Sequence, residues 1–289
     1  MTGLVVVEDH QGSSGAIVWW ALKGECRLSL FRSVWENDGL DPRLLPAPPS
    51  DLVVLQRALA DVKTASQEVR ELKKSLAFEI ETTWVGDDEA SARETVQHAK
   101  DARVTLDPDT SRELTDRLAI EVLSPKGQHL EAALLARIPA VVGQLNAVDI
   151  SGWLVRFAVN LHAVSLRDRG GFYFVPRDLV DEWRQMTQIL SSITQHKFFQ
   201  LPAMDSKEAV DVLLQVVQAE AKEAMVELQT YLAGTPGTRG LNAWEKRLTE
   251  LKNKVEHYTD LLGRSLPDFA TQEQSLRAGI SMARLSGGQ

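Results

Sequence analysis

The side chains able to do chemistry in this sequence are few and scattered. Six histidines (His10, His98, His129, His162, His196 and His257) stand far apart. No His-x-x-x-His pair sets two imidazoles on one helical face, as a helix-borne zinc site would need. Cys26 is the single cysteine, which excludes an internal disulfide and a cysteine-only metal centre. Alone, such a thiol is more often a small buried hydrophobe than a nucleophile. Asp87-Asp88-Glu89 offers carboxylates that could hold a divalent cation, but an acidic turn is ordinarily just solvated. Neither the phosphate-cradling Gly-x-x-x-x-Gly-Lys-Ser/Thr loop nor the Gly-x-Ser-x-Gly nucleophile turn is present. The residues therefore lean away from an enzyme, with no catalytic, cofactor-binding or metal-ligating set to name.

A different chemistry is suggested by basic residues around a glycine pair. Asp149 opens a helix read as residues 151–162, and Asp168-Arg169-Gly170-Gly171 then sits between two short β-branched and aromatic runs, as in a hairpin turn. Helix, helix and hairpin is the order of a winged helix-turn-helix. Between Lys126 and Arg177 six basic residues face three acidic ones, a local excess in a chain of net charge −8. Arg167 and Arg169 would lie at the wing tip for phosphate contacts, and Arg156 and Asn160 on the second helix could reach bases. Against this, Trp153, Leu154, Phe157, Val159 and Leu161 make that helix too apolar for a groove-facing surface. A structural or subunit-contacting hairpin is the plainer reading of residues 163–176.

The elements that must position these residues are read from periodicity. A strand is predicted around Ile17-Val18-Trp19-Trp20, and a helix over Leu28–Trp35 that ends at Gly39. The proline-rich Leu44–Pro49 connector leads to a helix capped at Ser50 or Asp51. Leu76 to Trp84 alternates as a strand and pairs with a second at about 95–106, both expected to share a sheet with the Trp19-Trp20 strand. Thr110 with Glu113 signals a further helix to about Leu123, and another spans about 128–145, kinked or split by Pro139. Leu179, Trp183, Met186, Leu190 and Ile193 mark a helix, and Lys197–Leu201 a strand expected to pair with Phe172–Val175.

The strongest signal lies in residues 205–262. Val210, Leu214, Val217, Ala221, Ala224, Leu228 and Tyr231 step by threes and fours, as do Leu241, Trp244, Leu248, Leu251, Val255, Tyr258 and Leu262. A Gly- and Pro-containing loop joins the two helices into an antiparallel hairpin, and a last helix covers about 267–284. The fold class is thus α+β and predominantly α-helical. A small antiparallel sheet domain occupies residues 1–125, a helical region with the β-hairpin insert 126–204, and the helical hairpin with the last helix 205–289.

Hydrophobic content of 44% and charged content of 25% are those of an ordinary globular chain. No apolar run reaches the roughly 18 residues of a membrane span, and Met1–His10 lacks the basic leader of a signal peptide. With one cysteine, a reducing cytoplasm is expected. Leu28–Pro49, Leu166–Pro176 and Pro202–Ser206 together resemble an uncharacterised family of bacteria, archaea and their phages. That resemblance implies no activity, only a phage or mobile-element connection. The expected function is a non-enzymatic protein-interaction or assembly component with a protein partner or self-association, using the helical hairpin. Nucleic-acid binding through 149–176 comes second, and an accessory or inhibitory factor acting on a host protein third; no membrane contact is expected.

Overall fold

In a computed structural model the protein is described at residues 13–72, 76–88, 93–167, 171–204, 206–234, 236–263 and 269–286. It is α+β with helices dominant. The described residues form two compact units, one of the residues up to Gly24 with those from Ile150 onward, the other of Glu25–Asp149. This division differs from the three consecutive segments expected. The cause is the first strand, β1 (Ser13–Ala21), which pairs with two strands from the C-terminal half.

In the Glu25–Asp149 unit, β2 (Cys26–Arg27) leads into α1 (Leu28–Asn37), where Trp35 donates its indole N–H to the Asp41 carbonyl at 2.9 Å. Ser50 caps α2 (Asp51–Val62) by accepting from the Val53 amide. Next come β3 (Gln67–Glu71), β4 (Ala77–Asp88), β5 (Arg93–Leu106) and β6 (Leu118–Val122), an antiparallel sheet in that order. The helix expected to run to Leu123 is corrected here. Only Leu114–Arg117 make a 3₁₀ turn, and Leu118–Val122 extend as a strand because the exposed β5 edge takes up their backbone groups. α3 (Leu130–Val141) keeps Pro139 inside but ends two residues later, and β7 (Gln144–Leu145) closes onto β2. Leu55, Leu59, Leu130, Leu134 and Ile138 from α2 and α3 cover Phe78, Ile80, Ala102 and Val104, all at most 2% exposed.

The outer face of this sheet carries charge in register. Arg70, Glu79, Arg103 and Glu121 stand opposite one another across the four strands. Glu79 accepts from Lys100 at 2.9 Å and Arg103 at 2.6 Å, and the Arg103 hydrogen bond, with that of Lys100, holds its carboxyl below the usual range. Alternating signs on facing residues stabilise the pairing, so this face neutralises itself, with Glu79 buried beneath Lys100 and Arg103.

The other unit is built on a second antiparallel sheet. α4 (Ala147–Asn160) is followed by β8 (Val164–Ser165), β9 (Tyr173–Pro176), α5 (Val180–Ile193) and β10 (Lys197–Met204). The strand order is β10-β1-β9-β8. Two expectations are corrected by this order. The Trp19-Trp20 strand joins β9 and β10, not β4 and β5, and the Lys197 strand pairs with β1 because β1 lies between it and β9. Asp149 is not the cap of α4. Asn146 accepts from the amides of Val148 and Asp149 while Asp149 accepts from the Asn146 amide, a reciprocal box one turn earlier.

α6 (Lys207–Leu232), α7 (Thr238–Leu262) and α8 (Phe269–Ser286) form a three-helix bundle. Ser206 caps α6 by accepting from the Ala209 amide at 3.1 Å; the cap expected at Asp205 falls outside the described residues. The middle of each expected stripe is buried, while Val210, Leu214, Tyr231, Trp244 and Leu262 are half-buried and Leu213 and Met225 enter the core besides. A third helix, bringing Phe269, Leu276 and Ile280, widens the apolar stripe beyond a two-helix seam. Tyr258 donates to the His162 carbonyl at 3.0 Å and Lys254 to the Ala163 carbonyl at 2.9 Å, fastening the bundle to the turn after α4.

Candidate functional site

Pairs of adjacent aromatics on neighbouring strands put rings on both faces of the β10-β1-β9-β8 sheet, because successive side chains alternate. On one face Trp20 stacks on Tyr173 at 5.4 Å, both half-buried, and α5 lays Trp183, which is 1% exposed, against Trp20. On the opposite face Trp19 stacks between Phe172 at 5.2 Å and Phe199 at 5.1 Å, with planes within 5° and 10°. The bundle covers only one end of this second face, where Val164 and Phe174 join its core and Phe174 packs on Tyr258. The three-ring ladder stays half-open: Phe199 is 38% exposed and Leu201, on the same face, 52%.

Arg167 lies over the outer side of this ladder, its guanidinium carbon 5.0 Å from the Phe172 ring centre. Of the expected contact residues it alone is placed at the aromatic face. Arg156 and Asn160 are exposed on α4, and no described hydrogen bond, ion pair or ring contact joins them to Arg167. Arg169, like the Asp168–Gly170 tip, lies outside the described residues. α4 buries Ile150, Trp153, Leu154, Phe157 and Ala158 in its own unit. The hairpin is not a free wing either, since β9 pairs with β8 on one side and β1 on the other. Sequence reasoning named Arg167 and did not see the ladder beside it. The signal was there in Trp19-Trp20, Phe172-Tyr173-Phe174 and Phe198-Phe199, since consecutive aromatics on strands force apolar rings onto both faces.

Elsewhere the chemistry is sparse. Cys26 is buried on β2 and burial pushes its thiol up to about 11, away from thiolate reactivity. Among the described residues no group of three His, Cys, Asp or Glu is placed to hold a metal ion. Asp87-Asp88-Glu89 lies outside the described side chains. Two shallow grooves, about 340 and 220 Å³, lie in the Glu25–Asp149 unit. The smaller holds Arg57 and Arg137, already engaged with Asp149 and Asp61 at 2.8 Å each. No helix among the described residues is long and apolar enough to cross a membrane.

A family model described as a family of unknown function, DUF6744, matches residues 15–285. The chain belongs to the DUF6744 family. The match begins within β1 and ends within α8, so both units of the fold belong to this DUF6744 chain's family region. No curated protein and no solved structure matches it.

Two histidines give the unit that holds the β10-β1-β9-β8 sheet a pH dependence. Burial lowers the pKa of His162, helped by the neighbouring His257 (ring centres 5.1 Å apart) and Lys254. Burial also lowers that of His196, whose Nδ1 accepts from the Lys23 amide. Both are neutral in the fold and protonate more readily unfolded, so stability is full above the unfolded value of 6.5 and falls as pH drops below it. Urea midpoints at about pH 7.5 and about pH 5.5 are expected to fall toward acid. The His162→Gln, His196→Gln double variant should flatten that fall; an unchanged slope would remove these two groups as its cause.

Proposed function

We propose that the protein is a non-enzymatic interaction component whose working surface is the open aromatic face of the four-stranded sheet. The observation that carries this reading is the ladder on the face opposite α5: Trp19 stacks between Phe172 and Phe199, and the last ring, Phe199, is 38% exposed at the sheet edge in the chain by itself. An exposed ring that ends a stacked row, with Leu201 exposed on the same face, marks a contact surface more often than scattered apolar residues do. The helical hairpin is the weaker candidate, because its stripes are spent on α8.

The test is site-specific photo-crosslinking in the native host, with a benzophenone amino acid at Phe199 and, as control, at Lys246, which is 80% exposed on α7. A discrete adduct at position 199 that is missing at 246 is the expected result, whether it joins a second copy, another protein or nucleic acid. Equal or absent crosslinking at both positions would sink the reading.

A further inference from the structure

We infer that the ligand of this face is single-stranded nucleic acid, a base stacking on Phe199 while Arg167 and Lys197 hold phosphates. The inference rests on the binding role proposed above. Phe199 ends the ladder on β10, the edge strand, so among the described residues no neighbouring strand covers the outer side of its ring. A nucleobase is a flat ring that extends such a stack, and every base has a π-face to offer.

Charge points the same way. The chain holds 40 acidic residues against 32 basic ones, yet β1, β8, β9 and β10 contain no Asp or Glu. Lys197 stands two residues from Phe199 on the same exposed face. Neither Lys197 nor Arg167 has an ion pair among the described residues, unlike Arg57, Arg103, Arg117 and Arg137. A guanidinium stacked on Phe172 keeps its N–H groups at the plane's edge, where a phosphate can take them.

Protein occupants fit less well. A stable interface takes about 20–30 residues a side, whereas the open patch centres on Ile17, Trp19, Phe172, Phe199 and Leu201. Strand addition at β10 is blunted by Pro202, which has no N–H to give.

Fluorescence anisotropy with a labelled oligothymidylate of about 12 nucleotides, beside a duplex of equal length, tests this. The single strand is expected to bind more tightly, with a slope of log K on log salt of about −1.4 for two phosphates. Phe199→Ala is expected to weaken binding about tenfold, and Arg167→Gln, exposed and harmless to folding, to shrink the slope by about half. No binding at low salt, or binding indifferent to both substitutions, overturns the assignment. If the position-199 crosslink yields nuclease-resistant protein adducts, the interaction role stands and nucleic acid falls; if position 199 gives no adduct of any kind, both fall.

Discussion

Asp101→Ala is expected to unfold the Glu25–Asp149 unit in conditions where the parent chain is folded. Asp101 is the extra residue of a bulge in β5: Ile80 faces Ala102, and the next residue, Glu81, faces Lys100. The bulge turns the Asp101 side chain inward, leaving it 1% exposed. There it accepts from Gln67 at 2.8 Å, from Ser124 at 2.6 Å and from the Thr82 hydroxyl. Its carbonyl accepts the amides of Leu123 and Ser124, so one residue binds β3, β4 and the turn after β6. Alanine removes the acceptor of two buried donors, on Gln67 and Thr82, and of half-buried Ser124, at a cost of about 3 kcal/mol or more, a large part of a typical domain's stability. Urea unfolding followed by hydrogen exchange should show protection lost in β3–β6; a midpoint shift below about 1 kcal/mol would count against this account. The same carboxylate sets an acid limit. Burial alone would raise its pKa, but the Ser124, Thr82 and Gln67 hydrogen bonds and Lys126 outweigh it, and the net shift is downward from 3.8. Its stabilising contribution is therefore present above that value and is lost as pH falls below it.

Gly15→Val should be comparably severe in the other unit. A Cβ at Gly15 would sit 2.2 Å from the Val175 carbonyl oxygen and 2.6 Å from the Phe174 ring. Neither can yield, because Val175 is backbone in an inner strand and Phe174 is 1% exposed in the bundle core. To relieve the clash β1 must move, and β1 carries the ladders to both β9 and β10. Overpacking of this sort costs about 3 kcal/mol or more. The expected readout is loss of Trp19 and Trp20 burial by near-ultraviolet circular dichroism, with lowered denaturant resistance. A variant that keeps the parent spectrum and midpoint would show that the sheet can open at Gly15 after all.

Both sites show where local pattern stops informing. That α6 and α7 would form was readable, because threes and fours of apolar residues dictate a helical stripe whatever it packs against. β4 was readable as well, through the alternation of Phe78, Ile80 and Thr82. Leu118–Val122 were not, since a five-residue segment after a helix-start motif becomes a strand only when a sheet edge is there to receive it. The Asp101 bulge left no mark either, because one extra residue changes no composition, only phase.

The partners of β1 were the largest miss. Ser13 bonds to Ala203, 190 residues away, and nothing in the spacing of Ile17, Val18, Trp19 and Trp20 names so distant a neighbour. Side-chain order along the chain determined most classes of element, the helical hairpin and the two arginines, Arg167 and Arg169, at the glycine turn. The tertiary structure decided which strand lies beside which, and so which rings meet. Helical stripes are made by neighbours in sequence, whereas a cross-strand ladder of Phe172, Trp19 and Phe199 exists only once three separated segments share one sheet.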